Sequence, residues 1–451
     1  VNNRRLCALA TSALVATLLA PLSAPAAPLS SLDNTELENS YQLVTAEFYK
    51  KVEPQALLDG AHLGLVDFLK QNGIAAPAIP QAHATDDDAQ NVHALQREVD
   101  SAVTAYGAKL TTRDFTYSAI AGMLASVHDR YTVFLSPKEY AALNEGLDGG
   151  NFSGVGIAIR VDDDTKYLSV SRVIPDGPAE KAGIQAGDII TSVDGKTTKG
   201  LTTDEDAKML RGKEGTTVRI DIQRDGKPLD APIAVVRAVI HEPSVYPTLL
   251  DNGIGYIQLQ VFGSNTATEL TDALTKLESQ GAKAYILDLR NNGGGYLNAA
   301  IDVSSKFIAS GAIVSVESRS GTNTEYDAED VAIPSKPLAV LVNEYTASAS
   351  EITSGAIQDN GVGELVGERT FGKGVVQTIH PLPDGSAVKI TSARYLTPHG
   401  RDINQVGIEP DIVSPDPKKA RLGDLATDTQ MQAAVSYLER RLAQISTSAS
   451  N

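Results

Sequence analysis

Apolar residues recur at three- and four-residue steps from Asn34 to about Glu145. Leu43, Val44, Phe48, Leu57, Leu58, Leu63, Leu65, Val66 and Leu69 form a first series. Val92, Leu95, Val99 and Val103 form a second, and Ile120, Met123 and Leu124 a third. That spacing puts them on one face of successive helices. Between the first two series, residues 73–88 carry Pro77, Pro80 and the run Asp86-Asp87-Asp88, which predicts a solvated loop whose charges need no functional role. Ser136-Pro137-Lys138-Glu139 joins a capping box to a proline at the first helical position, and predicts a short helix ending near Gly146.

At Asp148-Gly149-Gly150 the period changes from helical to alternating. Residues 156–161, 167–173, 188–193 and 217–222 read as strands, 179–182 as a helical turn closed by Gly183, and 204–210 as a helix. This is a small β module of about 90 residues, an ordinary domain size. From about His241 strands alternate with helices: strands at 254–261, 284–289 and 338–342, helices at 267–277, 297–308 and 349–358. Such alternation predicts an α/β layer. A strand pair at 375–379 and 388–395 follows, then an amphipathic tail helix at 428–445. The expected class is α+β and multidomain: an N-terminal helical region, a β module, an α/β core and a C-terminal helix.

Composition narrows the functions open to such a chain. The 451 residues include 39 Lys and Arg against 56 Asp and Glu, a formal net charge of −17. Phosphate neutralisation needs the opposite balance, so nucleic acid is not the expected partner. The single cysteine, Cys7, excludes an intramolecular disulfide framework and any multi-cysteine metal site. The start has the three parts of a secretory signal: Arg4-Arg5, an apolar run over residues 6–20, and the small residues Ala24-Pro25-Ala26. Cleavage after Ala26 is expected, removing Cys7; an uncleaved anchor is the alternative. The run is short for a spanning helix. The mature protein is therefore expected to be exported, periplasmic or extracellular, and soluble.

None of the seven histidines follows a metal-ligand spacing, and no Gly-x-Ser-x-Gly elbow is present. Two glycine-rich turns resemble phosphate cradles and fail as such. Asn291-Asn292-Gly293-Gly294-Gly295 has Asn298 where a dinucleotide turn needs its last glycine, and Gly367 to Gly374 lacks the Ser or Thr that would hold magnesium. Both suit a different chemistry. Glycine lets main-chain N–H groups converge on a negative oxygen, as acyl transfer requires. Thr346-Ala347-Ser348-Ala349-Ser350-Glu351 lies where a buried strand turns into a helix, which would expose the Ser348 hydroxyl near a helix N-terminus. A desolvated lysine can act as its base, and Lys373 lies between glycines close to Phe371, Val375 and Val376. Locally, Ser348 and Glu351 are equally a capping box, and Lys373 a surface lysine in a turn.

The whole set resembles the carboxyl-terminal processing, or tail-specific, proteases. The carrying segments are Phe152-Ser153-Gly154-Val155-Gly156-Ile157, Pro178-Ala179-Glu180-Lys181-Ala182-Gly183 and Leu210-Arg211-Gly212-Lys213-Glu214-Gly215 in the β module. In the core they are residues 287–295, 347–352, 372–377 and 406–411. The resemblance implies a serine peptidase with a Ser-Lys dyad, an embedded PDZ domain and a ClpP/crotonase-like core, without metal or other cofactor. It implies Ser348 as nucleophile, Lys373 as base, Gln377 as the residue orienting the lysine, Gly294 and Ala349 as oxyanion donors, and Asp359 in support. Glu344-Tyr345 replaces the small Gly-Ser pair common before the serine run.

For the β module the resemblance implies capture of a peptide terminus, with Gly154, Val155, Gly156 and Ile157 as the carboxylate loop and Arg211 linking it to the active site. The expected boundaries are a signal peptide at 1–26, helical region 27–146, PDZ domain 147–238, protease core 239–415 and helical tail 416–451. The expected partners are proteins or peptides with apolar C-termini. Peripheral membrane association and a homodimer formed through the terminal helices are compatible with it. The competing class is a PDZ-bearing peptide-binding scaffold with an inactive core. Its signature would be loss of Ser348 or Lys373, and both are present.

Overall fold

The computed structural model describes residues 28–108, 110–147, 152–162, 164–240, 242–329, 331–333, 335–415 and 422–449. The signal-like start with Cys7, the junction Asp148-Gly149-Gly150 and His241 lie outside the described residues. The chain divides into two compact units, one of residues up to Gln42 with Glu53–His128, the other of Leu43–Val52 with the chain from Asp129 onward.

The first unit is helical. Beside the start of Ser31–Glu47 it holds Pro54–Gln71, Asp88–Tyr106 and Thr112–Ala125. The periodic apolar residues Val92, Leu95, Val99 and Val103 are buried as their spacing predicts, whereas Leu63 stays exposed. Helices Pro54–Gln71 and Thr112–Ala125 cross so closely that a Cβ at Gly64 would lie 2.2 Å from the Ser118 carbonyl oxygen. The acidic run also has a structural role: the Asp87 carboxylate accepts from the Ala89 and Gln90 N–H groups and caps Asp88–Tyr106.

In the second unit the predicted capping box forms. Ser136 N–H donates to Glu139 at 2.8 Å, Glu139 N–H donates to Ser136 Oγ at 3.4 Å, and helix Pro137–Leu147 follows. The β module is a seven-stranded antiparallel sheet built around Ile157–Val161, Leu168–Val173, Ile189–Val193 and Thr217–Arg224, with Ile233–Val236 added beside Thr217–Arg224. Helices Pro178–Lys181 and Thr203–Leu210 accompany it. The inward residues of its alternating strands, Leu168, Val170, Ile190, Val218, Ile220 and Ile222, share one core.

The α/β core carries a six-stranded sheet in the order Val245–Leu249, Ile254–Leu259, Ala284–Asp288, Leu338–Val342, Glu364–Gly367, Ile412–Val413. Only the first pair is antiparallel. Tyr285, Leu287, Val340 and Val342 face the helices Thr266–Ser279, Leu297–Ser304 and Ala349–Asp359. Their neighbours Ala284, Ile286, Ala339 and Leu341 face Met431, Ala434, Val435 and Leu438 of the tail helix Thr429–Ala449. Burial on both faces is why these strands read as unbroken apolar runs. A second sheet centres on Ala387–Leu396, which pairs with Val375–Pro381 on one edge and with Val133–Leu135 and Ala312–Ser318 on the other.

Candidate active site

Three neighbouring parallel strands, Ala284–Asp288, Leu338–Val342 and Glu364–Gly367, end at the same sheet edge. The chain leaving the first forms the Gly293-Gly294-Gly295 turn, the chain leaving the second reaches Ser348, and the chain leaving the third reaches Lys373. The carboxyl ends of parallel strands are where such sheets place their ligands. A cavity of about 400 Å³ opens there, lined by the three glycines, Ser348, Ala349, Lys373, Gln377 and Lys389, and by apolar Leu143, Leu147, Ile352, Val375, Val376 and Ile379.

Ser348 begins the helix Ala349–Asp359 with φ 57° and ψ −118°, a conformation that glycine ordinarily holds. The turn is pinned from several sides. Ala347 N–H and Ser350 Oγ both donate to the Asn292 carbonyl, at 3.0 and 2.9 Å, and Ser348 N–H donates to Glu351 at 2.9 Å. Gly294, with φ 102°, lies against the serine: a Cβ there would come within 2.8 Å of Ala347 O, Ala349 N and Ser348 Cβ. A side chain at this position would displace the serine turn.

The fully buried Glu351 carboxylate does more than close a cap. It also accepts from Thr370 Oγ1 at 2.6 Å, Gly372 N–H at 2.7 Å and Lys373 N–H at 2.8 Å. One side chain therefore fixes the serine turn against the lysine loop. Burial raises its pKa, and the same four donors oppose the rise. The buried Tyr395 hydroxyl adds a second tie, donating to Lys373 O at 2.6 Å and lying 3.2 Å from Ser348 O.

Burial is the main force that pulls the Lys373 amine down to about 8; nearby Lys389 and Arg130 act in the same direction, and Glu351 and Asp129 oppose. An amine so shifted gives up its proton far more readily near neutral pH than a free lysine, as a general base requires. Its Nζ lies 4.8 Å from the centre of the Tyr131 ring, and among the described residues no hydrogen bond joins it to Ser348 Oγ.

The other sequence-predicted residues fall into two groups. Gln377 lines the cavity just past a register shift in the pairing of Val375–Pro381 with Ala387–Leu396, and its amide donates to Val375 O at 3.2 Å. Gly294 N–H donates to Asn292 Oδ1 at 2.9 Å, so this donor is engaged within its own turn. Asp359 is not brought to the cavity; it lies at the far end of the serine helix, where it accepts from His399 N–H at 2.9 Å and pairs with Arg401. In the β module, Gly154, Val155, Gly156 and Ile157 line a groove of about 220 Å³ with Ala207, Leu210, Arg211 and Glu242. Arg211 pairs at 2.8 Å with Glu145, on the same helix as the cavity residues Leu143 and Leu147. The sequence offers Glu351 only as a cap, names Asn292 only as part of the glycine turn, and gives no role to Tyr131 or Tyr395. Their partners are mostly distant in the chain, and the one local signal was the Ser-x-x-Glu box.

A hydroxyl at a strained helix start, an amine held below its usual range in the same cavity and a glycine turn against the serine are the parts of a serine peptidase. The sequence profile of peptidase family S41 matches residues 253–414, and that of the PDZ domain matches residues 169–224. The chain is 42% identical over 343 residues to a carboxyl-terminal-processing protease of Picosynechococcus sp., covering 75% of this chain and 83% of that one. It is 40% identical over 335 residues to a protease of the same name from Synechocystis sp., covering 73% and 78%. A solved S41-type chain from Bacteroides fragilis shares the fold at 15% identity, with a TM-score of 0.52 over 88% of this chain and 95% of that one. This chain belongs to the carboxyl-terminal-processing proteases of peptidase family S41, serine peptidases, and it carries a PDZ domain. Among the described residues no helix is long and apolar enough to cross a membrane.

Proposed function

We propose that the chain is an exported endopeptidase that takes the C-terminal tail of a protein substrate at its PDZ domain, residues 147–238, and cleaves it in the core with Ser348 and Lys373. The observation that carries this reading is that the hydroxyl and an amine depressed to about 8 line one cavity. Neutral Lys373 takes the Ser348 proton while Oγ attacks the scissile carbonyl. The ammonium so formed returns the proton to the leaving amine, and water resolves the acyl-enzyme. Ala349 N–H and an N–H of the glycine turn receive the oxyanion. Where Gly294 serves, the oxyanion replaces Asn292 Oδ1 as its acceptor.

The apolar cavity walls favour apolar residues beside the cut, and the groove at Gly154 to Ile157 suits a terminal carboxylate held by main-chain N–H groups. Export rests on the basic, apolar and small-residue pattern of residues 2–26. Ser348→Ala and Lys373→Ala are expected to fold and to lose several powers of ten in cleavage of an unfolded substrate, because nucleophile and base act as a unit. The parent's rate is expected to rise with pH through about 8, as Lys373 becomes neutral. Near-native cleavage by either variant refutes the dyad.

A further inference from the structure

We propose that Tyr131 is a positioning residue for the base, its ring forming the seat on which the charged Lys373 side chain rests between proton transfers. The proposal rests on the assignment of Lys373 as base. Lys373 Nζ lies 4.8 Å from the ring centre, within the range in which an ammonium is held by an aromatic face. The ring is itself fixed. Arg130 lies 4.6 Å from the centre of the same ring, donates to its hydroxyl, and lies 5.1 Å from the Phe371 ring, two residues before the lysine.

The segment carrying Tyr131 is tied to the second sheet. Asp129 accepts from Thr132 Oγ1 at 2.7 Å and from Thr391 Oγ1, while Thr391 N–H donates to Thr132 Oγ1 at 3.1 Å. The Lys373 main chain is held by Glu351 and Tyr395, so only its four-carbon stem is free to turn. The charged groups facing the amine are Lys389 and Arg130, which repel it, and Glu351 and Asp129, which attract it.

An aromatic face attracts the ammonium and not the neutral amine. Protonated Lys373 therefore rests on Tyr131, and loss of the proton frees the stem to reach Ser348. After transfer of the Ser348 proton the ring face steadies the renewed ammonium until it passes that proton to the leaving amine. Tyr131→Phe, which keeps the ring, is expected to stay within about two-fold of the parent, whereas Tyr131→Leu is expected to lower kcat about ten-fold with KM unchanged. With the ring gone the ammonium loses its partner, so the acid limb of the Leu variant is expected to move down by about half a pH unit or more. A Leu variant with the parent's kcat and pH profile overturns the proposal, and so does a Phe variant as impaired as the Leu variant.

A second measurement needs no Tyr131 variant and no activity. In full-length Ser348→Ala protein with 13C-methylated lysines, the Lys373 methyl resonance, assigned by its loss in Lys373→Arg, is expected upfield from ring current. An undisplaced Lys373 resonance overturns the seat even where the parent enzyme cleaves normally. A displaced resonance supports the seat, and if Lys373→Ala still cleaved, the failure would belong to the base assignment alone.

Discussion

Ser348 sits in a backbone conformation that costs a side-chain-bearing residue about 1–3 kcal/mol. The surrounding ties from Asn292 and Glu351 over-determine it, as a strained turn requires. Its stability consequence is separable from its chemistry. Ser348→Gly removes the strain but adds freedom to the unfolded chain, which takes back about 0.4–1 kcal/mol. It is expected to be about 1 kcal/mol more stable than Ser348→Ala, with both inactive. Urea unfolding of the two variants checks this, and a Ser348→Gly variant less stable than Ser348→Ala by about 0.4–1 kcal/mol would mean that the turn is unstrained. The local sequence around Ser348 and Lys373 left a helix cap and a surface lysine open, and only the ordered set of family-like segments singled the two residues out as a pair that the fold places at one cavity. Glu351 was half legible: its bond to Ser348 spans three residues, but those to Thr370, Gly372 and Lys373 span 19 to 22, and nothing local encodes them.

Among the elements, the strands 284–288 and 338–342 were readable because both faces are covered and the runs are apolar throughout. Val133–Leu135, Ala312–Ser318 and Glu364–Gly367 were not, being short or mixed in polarity and defined by distant partners. The tail helix was visible by its period, but what it does for the site was not. Arg290, fully buried, follows strand Ala284–Asp288 and immediately precedes the Asn291-Asn292 turn. It donates to both Asp428 oxygens, at 2.9 and 2.8 Å, to Gln430 at 3.0 Å, and back to Asp288. Asp428 in turn accepts from Met431 N–H at 3.1 Å at the start of the tail helix. The tail helix thus braces the root of the glycine turn through a buried guanidinium. Asp428→Ala leaves the cation balanced by Asp288 but strips two of its buried donor bonds, each a hydrogen bond to a charged group worth about 1.5–3 kcal/mol, so a loss of about 2–4 kcal/mol is expected. The unfolding free energy is the measurement, and a loss below about 1 kcal/mol, the level of a surface pair, would show that Arg290 finds other partners.

At the scale of the whole molecule, the proposed function requires the groove in the PDZ domain and the cavity in the core to act on one substrate. The pair of Arg211 with Glu145 joins two partly exposed side chains, and such a pair is worth at most about 1 kcal/mol. A bias of that size shifts a two-state equilibrium only about five-fold, too little for that pair alone to switch the enzyme. On the proposed reading, selection of the substrate then comes mainly from binding of the tail itself. A carboxylate held by main-chain N–H groups gains charge-assisted hydrogen bonds worth about 1.5–3 kcal/mol. Amidating the substrate's C-terminus removes the charge and leaves the scissile bond unaltered. Cleavage at low substrate concentration is therefore expected to fall about ten-fold or more, while kcat at saturation holds, because the lost contact was made equally before and during the reaction. Rates for the free-acid and amidated forms of one apolar-tailed substrate, measured over a range of concentrations, decide the matter. Equal KM values would mean that the groove at Gly154 to Ile157 does not read the terminus. A fall confined to kcat would mean that the carboxylate acts in the catalytic core instead.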